Sequence, residues 1–301
     1  MRRIKYIVNK TILKIINIVQ YPVLEILARG KTIPIRGRFD RYLFKVKKNN
    51  FGDDLNVFFI EKITNKRVIK SEYSLAVKLL NYESYAVIGS ILEFVSQSNK
   101  KYIVWGSGFK YSDSIFSTKN IANNKYLAVR GKKTRDRIVA AGGVCPEIYG
   151  DPVLLLSKYY TINNVRKKYL YGIIPHKLDS KNPIVREISQ RKDVLMIDIE
   201  HYENVESFLM LINECNYVLS SSLHGLIIAD SYKIPNLWVR FSNFIDGNGF
   251  KFEDYYSGIG RTAICYDLSD GISDKLIQNE LSKWKEPKID PMLENSCPFL
   301  S

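Results

Sequence analysis

Histidine and cysteine are scarce in this chain, with three of the first and four of the second among 301 residues. Cys145, Cys215, Cys265 and Cys297 are far apart, so no close pair suggests a zinc finger, a metal-ligand cluster or a redox motif, and they read as reduced cytoplasmic thiols. Long clean apolar runs are missing too. The most apolar stretch, at the amino terminus, is broken by Lys14, Asn17, Gln20, Pro22 and Glu25, short of the roughly 20 residues a spanning helix needs. No small-residue cleavage site follows it, which argues against a signal peptide. The turn Gly106-Ser107-Gly108 lacks the full dinucleotide fingerprint, so a Rossmann cofactor site is not supported. There is no basic coiled coil, no basic-aromatic sheet motif and no short-period repeat.

What is abundant is positive charge. Forty-five basic against 31 acidic residues leave a formal +14, which calls for an anionic partner: nucleic acid, an acidic substrate or phospholipid headgroups. Without any nucleic-acid signature, the first is the weakest. In the first thirty residues Arg2, Arg3, Lys5, Lys10 and Lys14 are interleaved with Ile7, Val8, Ile12, Ile15, Ile18 and Val19. This basic, apolar helix either lies in the headgroup region of an anionic cytoplasmic leaflet or packs on the protein, with a transmembrane anchor as a third option.

The rest alternates strands and helices, and its length allows two α/β domains. Boundaries are expected at 31–160 and 161–285, after a segment 1–30 and before a tail 286–301 that returns toward the first domain. Tyr42 to Lys47 reads as an entry strand, Asn50-Phe-Gly-Asp-Asp54 as its turn, and Leu55 to Lys62 as a helix. Gly52 would allow close backbone approach. Tyr85 to Leu92 and Lys101 to Phe109 are buried strands running into the small-residue turns at Gly89-Ser90 and Gly106-Ser107, as parallel neighbours sharing one rim would. Arg130, after the strand at Tyr126, is either a surface charge or an anion clamp. In the second half a strand ends at Pro175-His176, and Tyr217 to Leu219 leads through Ser220-Ser221-Ser222 into Leu223-His224-Gly225. That strand, polar turn and helix place His224 where open α/β sheets bind ligands, at a helix amino end that favours anions. The plainer alternatives are that the serines only cap the helix and that His224 is a satisfied structural histidine. His201 reads as a surface residue. Asn243 to Tyr256 reads as a glycine-rich loop carrying Lys251, Asp254 and Tyr255, either a cover for a sugar or a passive connection.

Taken together, Asn50-Phe-Gly-Asp-Asp54, Ile88-Gly-Ser90, Trp105-Gly-Ser-Gly108, Val129-Arg-Gly131, Gly150-Asp-Pro152, Pro175-His176, Ser221-Ser-Leu-His-Gly225 and Lys251-Phe-Glu-Asp-Tyr255 resemble the polysaccharide pyruvyl transferases. These enzymes move pyruvate from phosphoenolpyruvate onto a sugar as a ketal. The resemblance implies two Rossmann-like domains facing a central cleft, as in the GT-B architecture of many glycosyltransferases, and no cofactor or metal. It also implies a polysaccharide or lipid-linked oligosaccharide acceptor at the cytoplasmic face of the bacterial inner membrane. On this resemblance His224 and His176 would be the catalytic pair. Arg130, Ser221, Ser222, Gly225, Gly106, Ser107 and Lys251 would hold the donor, and Asn50, Asp53, Asp54, Gly89, Ser90, Asp254 and Tyr255 would line the cleft or hold the acceptor. Many members carry an arginine where this chain has Ser222, so another cation must replace it, Arg130 first and Lys251 second. A nucleotide-sugar glycosyltransferase and a non-catalytic glycan-assembly protein are the competing readings.

Overall fold

The computed structural model describes residues 2–29, 31–42, 45–47, 50–243 and 246–300, with side chains at 1–13, 30, 40–49, 244–246 and 301 outside the described set. Of the residues named above, the side chains of Arg2, Arg3, Lys5, Ile7, Val8, Lys10 and Ile12, and those of Tyr42 to Lys47, therefore lie outside the described residues. The described chain is α/β, built on two five-stranded parallel sheets. The first contains β1 (Thr32–Ile35), β4 (Arg67–Lys70), β5 (Ser84–Ala86), β6 (Tyr102–Trp105) and β7 (Lys125–Ala128). The second contains β8 (Tyr169–Ile174), β9 (Val194–Met196), β10 (Cys215–Ser220), β11 (Asn236–Arg240) and β12 (Cys265–Asp267).

The entry strand is not where the sequence suggested. β1 leads the first sheet, while β2 (Asp40–Tyr42) and β3 (Lys45–Lys47) form a separate antiparallel hairpin. Strand order runs β4-β1-β5-β6-β7 in one sheet and β9-β8-β10-β11-β12 in the other. In both, the second strand in sequence lies on one side of the first and the rest on the other. Ligands bind such sheets at the carboxyl ends of the strands where the order reverses, which here means beyond β1 and β5 in one half and beyond β8 and β10 in the other.

The helix Phe51–Thr64 joins the halves. Asn50 caps it through Gly52 N–H, and Phe51, Leu55, Phe59 and Ile60 are buried along it. Phe51 stacks on Phe208 of the second half with ring centroids 3.6 Å apart, and its N–H donates to Ile199 O at 2.9 Å. One apolar cluster accordingly runs from Ile33 and Trp105 through Phe51 to Phe208, Leu226 and Tyr255. Burying a phenylalanine is worth about 1.5–3 kcal/mol, so the helix is a fixed wall of the cleft between the sheets. The carboxyl-terminal segment packs on the first sheet: Trp105 Nε1–H donates to Leu293 O at 2.8 Å, and Phe299 meets the Tyr85 ring edge-on.

The amino-terminal helix Arg2–Leu27 buries Tyr21 and Leu24 in a cluster with Ile69, and its Glu25 carboxylate accepts from Ser74 Oγ and Leu75 N. Its opposite face is apolar and exposed, with Ile15, Ile18, Val19, Ile26 and Leu27 all more than half accessible. No helix among the described residues is long and apolar enough to cross a membrane. Residues Phe250–Gly258, read from sequence as part of a loop, form a helix preceded by the left-handed Gly247 and Gly249.

Candidate functional site

A cavity of about 490 Å³ opens at both reversal points and is lined from both halves, by Asn50, Asp53, Gly89, Ser90, Arg38 and Lys110 on one side and by His176, Ser222, His224 and Lys251 on the other. Lys177 and Glu200 complete its charged rim. Four Lys and Arg side chains thus face two carboxylates, so the lining carries a net positive charge of two before any histidine is counted.

The three serines that end β10 and begin the turn after it have separate tasks. Ser220 Oγ donates to the carbonyl of Ile174 or Ser222 and accepts from Ser222 N, which ties β10 to β8 and shapes the turn. Ser221 Oγ donates to Asp179 Oδ2 at 3.0 Å and accepts from His176 N at 2.8 Å, so it holds the Pro175-His176 turn against its own. Asp179, also bonded by Ser242 Oγ, is buried support that no sequence motif announced. Ser222 stands at the start of the helix Leu223–Ser231 but makes no side-chain cap. The serines therefore do not cap this helix, and Ser222, Leu223 and His224 at its start line the cavity.

His224 is not a satisfied structural histidine. Its Nε2 is buried and has no hydrogen-bond partner among the described residues, while its Nδ1 lies against Gly52. A Cβ at Gly52 would sit 2.1 Å from that nitrogen, so glycine is required for the close approach of the helix Phe51–Thr64 to the imidazole. Burial first, then the positive charges of Lys251 and Arg130, push the imidazole down to about 3. It is neutral at physiological pH, with one ring nitrogen able to accept a proton. His176 also lines the cavity, and His201 pairs with Asp198 at the surface.

Arg130 is not the open clamp that the sequence allowed. It is fully buried: Nε donates to Asp254 Oδ2 at 2.9 Å, one terminal nitrogen to Ser90 Oγ at 2.6 Å and the other to Phe109 O at 2.5 Å. Asp254, expected as a cleft group, is fully buried as well. It accepts from Thr134 N at 2.7 Å and Thr134 Oγ1 at 2.8 Å, and so anchors the helix Lys132–Ala140. A buried carboxylate and guanidinium require each other because either alone would be an uncompensated charge. This pair staples the two halves behind the cavity wall, and Arg130 acts on His224 through its field. Of the two cations expected to replace the missing arginine, Lys251 is the one that lines the cavity.

Other expected positions also support the wall from behind. Ser107 Oγ donates to Val87 O, Gly106 packs against Pro152, and Gly225 packs against Ser220 Oγ. Tyr255 donates to the buried Asp230, and Asp54 takes a hydrogen bond from Tyr202. Arg38, Lys110 and Lys177 were missed because each is an isolated cation outside any motif. Among the described residues no cluster of three or more His, Cys, Asp or Glu side chains is placed to hold a metal ion.

Comparison with known proteins points the same way. The polysaccharide pyruvyl transferase family matches residues 27–243, a span containing both sheet-order reversals and both cleft histidines. An uncharacterized protein of Acanthamoeba polyphaga mimivirus is 33% identical over 220 residues, 71% of this chain and 72% of its own. Succinoglycan biosynthesis protein ExoV of Rhizobium meliloti (strain 1021) is 24% identical over 225 residues, 73% of this chain. The chain spans 65% of ExoV's length. The family match covers more than half of this chain and every cavity residue named above except Lys251, and this chain belongs to the polysaccharide pyruvyl transferase family.

Proposed function

We propose that the cleft binds phosphoenolpyruvate and transfers its pyruvyl group to two hydroxyls of a polysaccharide unit, giving a cyclic ketal and free phosphate. The observation that carries this reading is His224: a neutral imidazole with an unpartnered buried nitrogen, at an uncapped helix amino terminus, beside a lysine. Family membership supplies the reaction class, pyruvyl transfer to polysaccharide.

The donor is an anion with a phosphate and a carboxylate. Lys251, Lys110, Arg38 and Lys177, with the amides opening the helix Leu223–Ser231, offer the positive field for both. Asp53 and Glu200 give the other side of the cavity acceptors suited to sugar hydroxyls. His224 takes the proton of the attacking hydroxyl as its oxygen bonds to the central carbon of the donor, and the imidazolium so formed delivers that proton to the methylene carbon. Phosphate then leaves with the electrons of its C–O bond. The second hydroxyl closes the ketal and gives its proton to phosphate. Negative charge on the donor offsets the field of Lys251 and Arg130, which raises the basicity of His224 when the site is filled. The Rossmann-like halves facing this cavity make a GT-B-type arrangement the natural frame for that chemistry.

A direct test is melting temperature with phosphoenolpyruvate against pyruvate, phosphate and nucleotide sugars, since a ligand of the folded state alone raises it. Phosphoenolpyruvate at 100 times its dissociation constant should stabilise by about 2.7 kcal/mol. A shift with a nucleotide sugar and none with phosphoenolpyruvate would overturn the donor assignment in favour of glycosyl transfer.

The exposed face of the helix Arg2–Leu27 fits the cytoplasmic surface of an anionic membrane, where a lipid-linked acceptor would be presented. Support comes from Ile15, Ile18, Val19, Ile26 and Leu27 on one stripe, together with the basic sequence at its start. The chain should sediment with vesicles containing anionic phospholipid and not with zwitterionic ones, and Ile18→Ser with Ile26→Ser should release it. Equal recovery in the supernatant with both vesicles would contradict the membrane reading.

A further inference from the structure

A second cavity, of about 320 Å³, lies at the other end of the second sheet. Asn236 begins β11 and Ile264 precedes β12 there, whereas the cleft lies beyond the carboxyl ends of the strands. The cavity extends along β11 to Trp238 and along β12 to Tyr266, and it shares no lining residue with the cleft.

Three residues lining this cavity carry polar atoms with no partner among the described residues: Asn236 Oδ1, Arg261 Nε and Trp284 Nε1. Asn236 is only 2% exposed, and its amide nitrogen is already used by Asp230 and Ile234 O. Arg261 spends its terminal nitrogens on Asp230 and Lys285 O, which leaves Nε. Each unsatisfied buried group costs about 1–3 kcal/mol, so one acceptor and two donors around one cavity call for a ligand that offers both kinds of partner. Aromatic surface surrounds them. Trp238, stacked on Phe252, joins Tyr256, Tyr266 and Trp284 in the lining, and Trp284 carries the Arg261 guanidinium over its ring at 4.9 Å.

A pyranose has this pairing of properties, with C–H faces that lie on aromatic rings and a rim of hydroxyls that both donate and accept. We infer that this cavity binds a saccharide unit of the polysaccharide at a distance from the reacting one, preferring a unit that bears a carboxylate. The preference follows from charge. Arg261, Lys283 and Lys285 face Glu280 and, behind Arg261, Asp230, so three cations meet two carboxylates. The inference rests on the family reading only for the polymer's presence, and it is independent of the donor.

Calorimetric titration with an oligoglucuronate and with a neutral glucose oligomer of equal length tests it. The oligoglucuronate should bind saturably and several-fold more tightly than the neutral oligomer. Trp284→Phe, which keeps a ring and removes the N–H, should weaken binding about tenfold, and Lys285→Gln should erase the preference for the acidic oligomer. The Trp284→Phe protein should still be stabilised by phosphoenolpyruvate to the wild-type extent, because the two cavities share no lining residue. Absence of saturable binding of either oligomer to the wild type, or unchanged affinity in Trp284→Phe, would each overturn the inference. Failure of phosphoenolpyruvate to stabilise the protein would refute the donor assignment and leave these titrations unaffected.

Discussion

Replacing His224 with glutamine is expected to lower turnover by about 10³-fold, because positioned acid-base groups contribute roughly 10²–10⁴, while the fold is kept. Glutamine fills most of the same space and cannot carry the proton from hydroxyl to methylene. The variant should also change acid stability in a defined direction. The folded state holds His224 down to about 3 against an ordinary value of 6.5, so as pH falls below about 6.5 the unfolded chain takes up a proton that the native imidazole refuses. Wild type therefore loses stability between those values through this group, and His224→Gln does not. Denaturant titrations at pH 7 and pH 5 should show a smaller acid loss in the variant. Gly52→Ala perturbs the same imidazole from its Nδ1 edge. Its Cβ has to displace the imidazole, and a displacement of about 1 Å can cost about 10²-fold in rate. If Gly52→Ala and His224→Gln both turned over like wild type, His224 would have no part in the chemistry.

The Asp254→Ala variant is expected to lose about 3–5 kcal/mol of stability, the usual cost of stranding one member of a buried ion pair. Arg130 would keep its bonds to Ser90 Oγ and Phe109 O but lose its counter-charge, and Thr134 would lose both of its bonds to the carboxylate. Because the pair joins the halves, unfolding should become less cooperative as well as easier. Combining Asp254→Leu with Arg130→Met should cost less than the sum of the single changes, since it removes the buried charge rather than isolating it. Near-normal stability in Asp254→Ala with activity abolished would instead make Arg130 and Asp254 ligands of the substrate.

The sequence and the structure agree where a local signal exists. The apolar runs ending at Gly89, His176 and Ser220 are strands that end at the cleft, and His224 was visible from strand, turn and helix alone. β1 was hidden because Pro34 sits in a four-residue strand, which a propensity argument counts against. The helix Phe250–Gly258 was concealed by its glycine approach and by a sequence with no clean apolar stripe. Nothing local could pair Arg130 with Asp254, which are 124 residues apart. That pairing appears only once the sheets are assembled. Strand order is of the same kind, and it is what brings Gly89, His176 and Ser222 to one cavity.

The proposed transfer of pyruvate from phosphoenolpyruvate to a saccharide is tested by following carbon-labelled phosphoenolpyruvate with a polysaccharide isolated from cells lacking the protein. Label should enter the polymer as an acid-labile ketal in step with phosphate release, one for one, and His224→Gln should give neither. Polymer that remains unlabelled while a nucleotide sugar donates its sugar to it would contradict the claim.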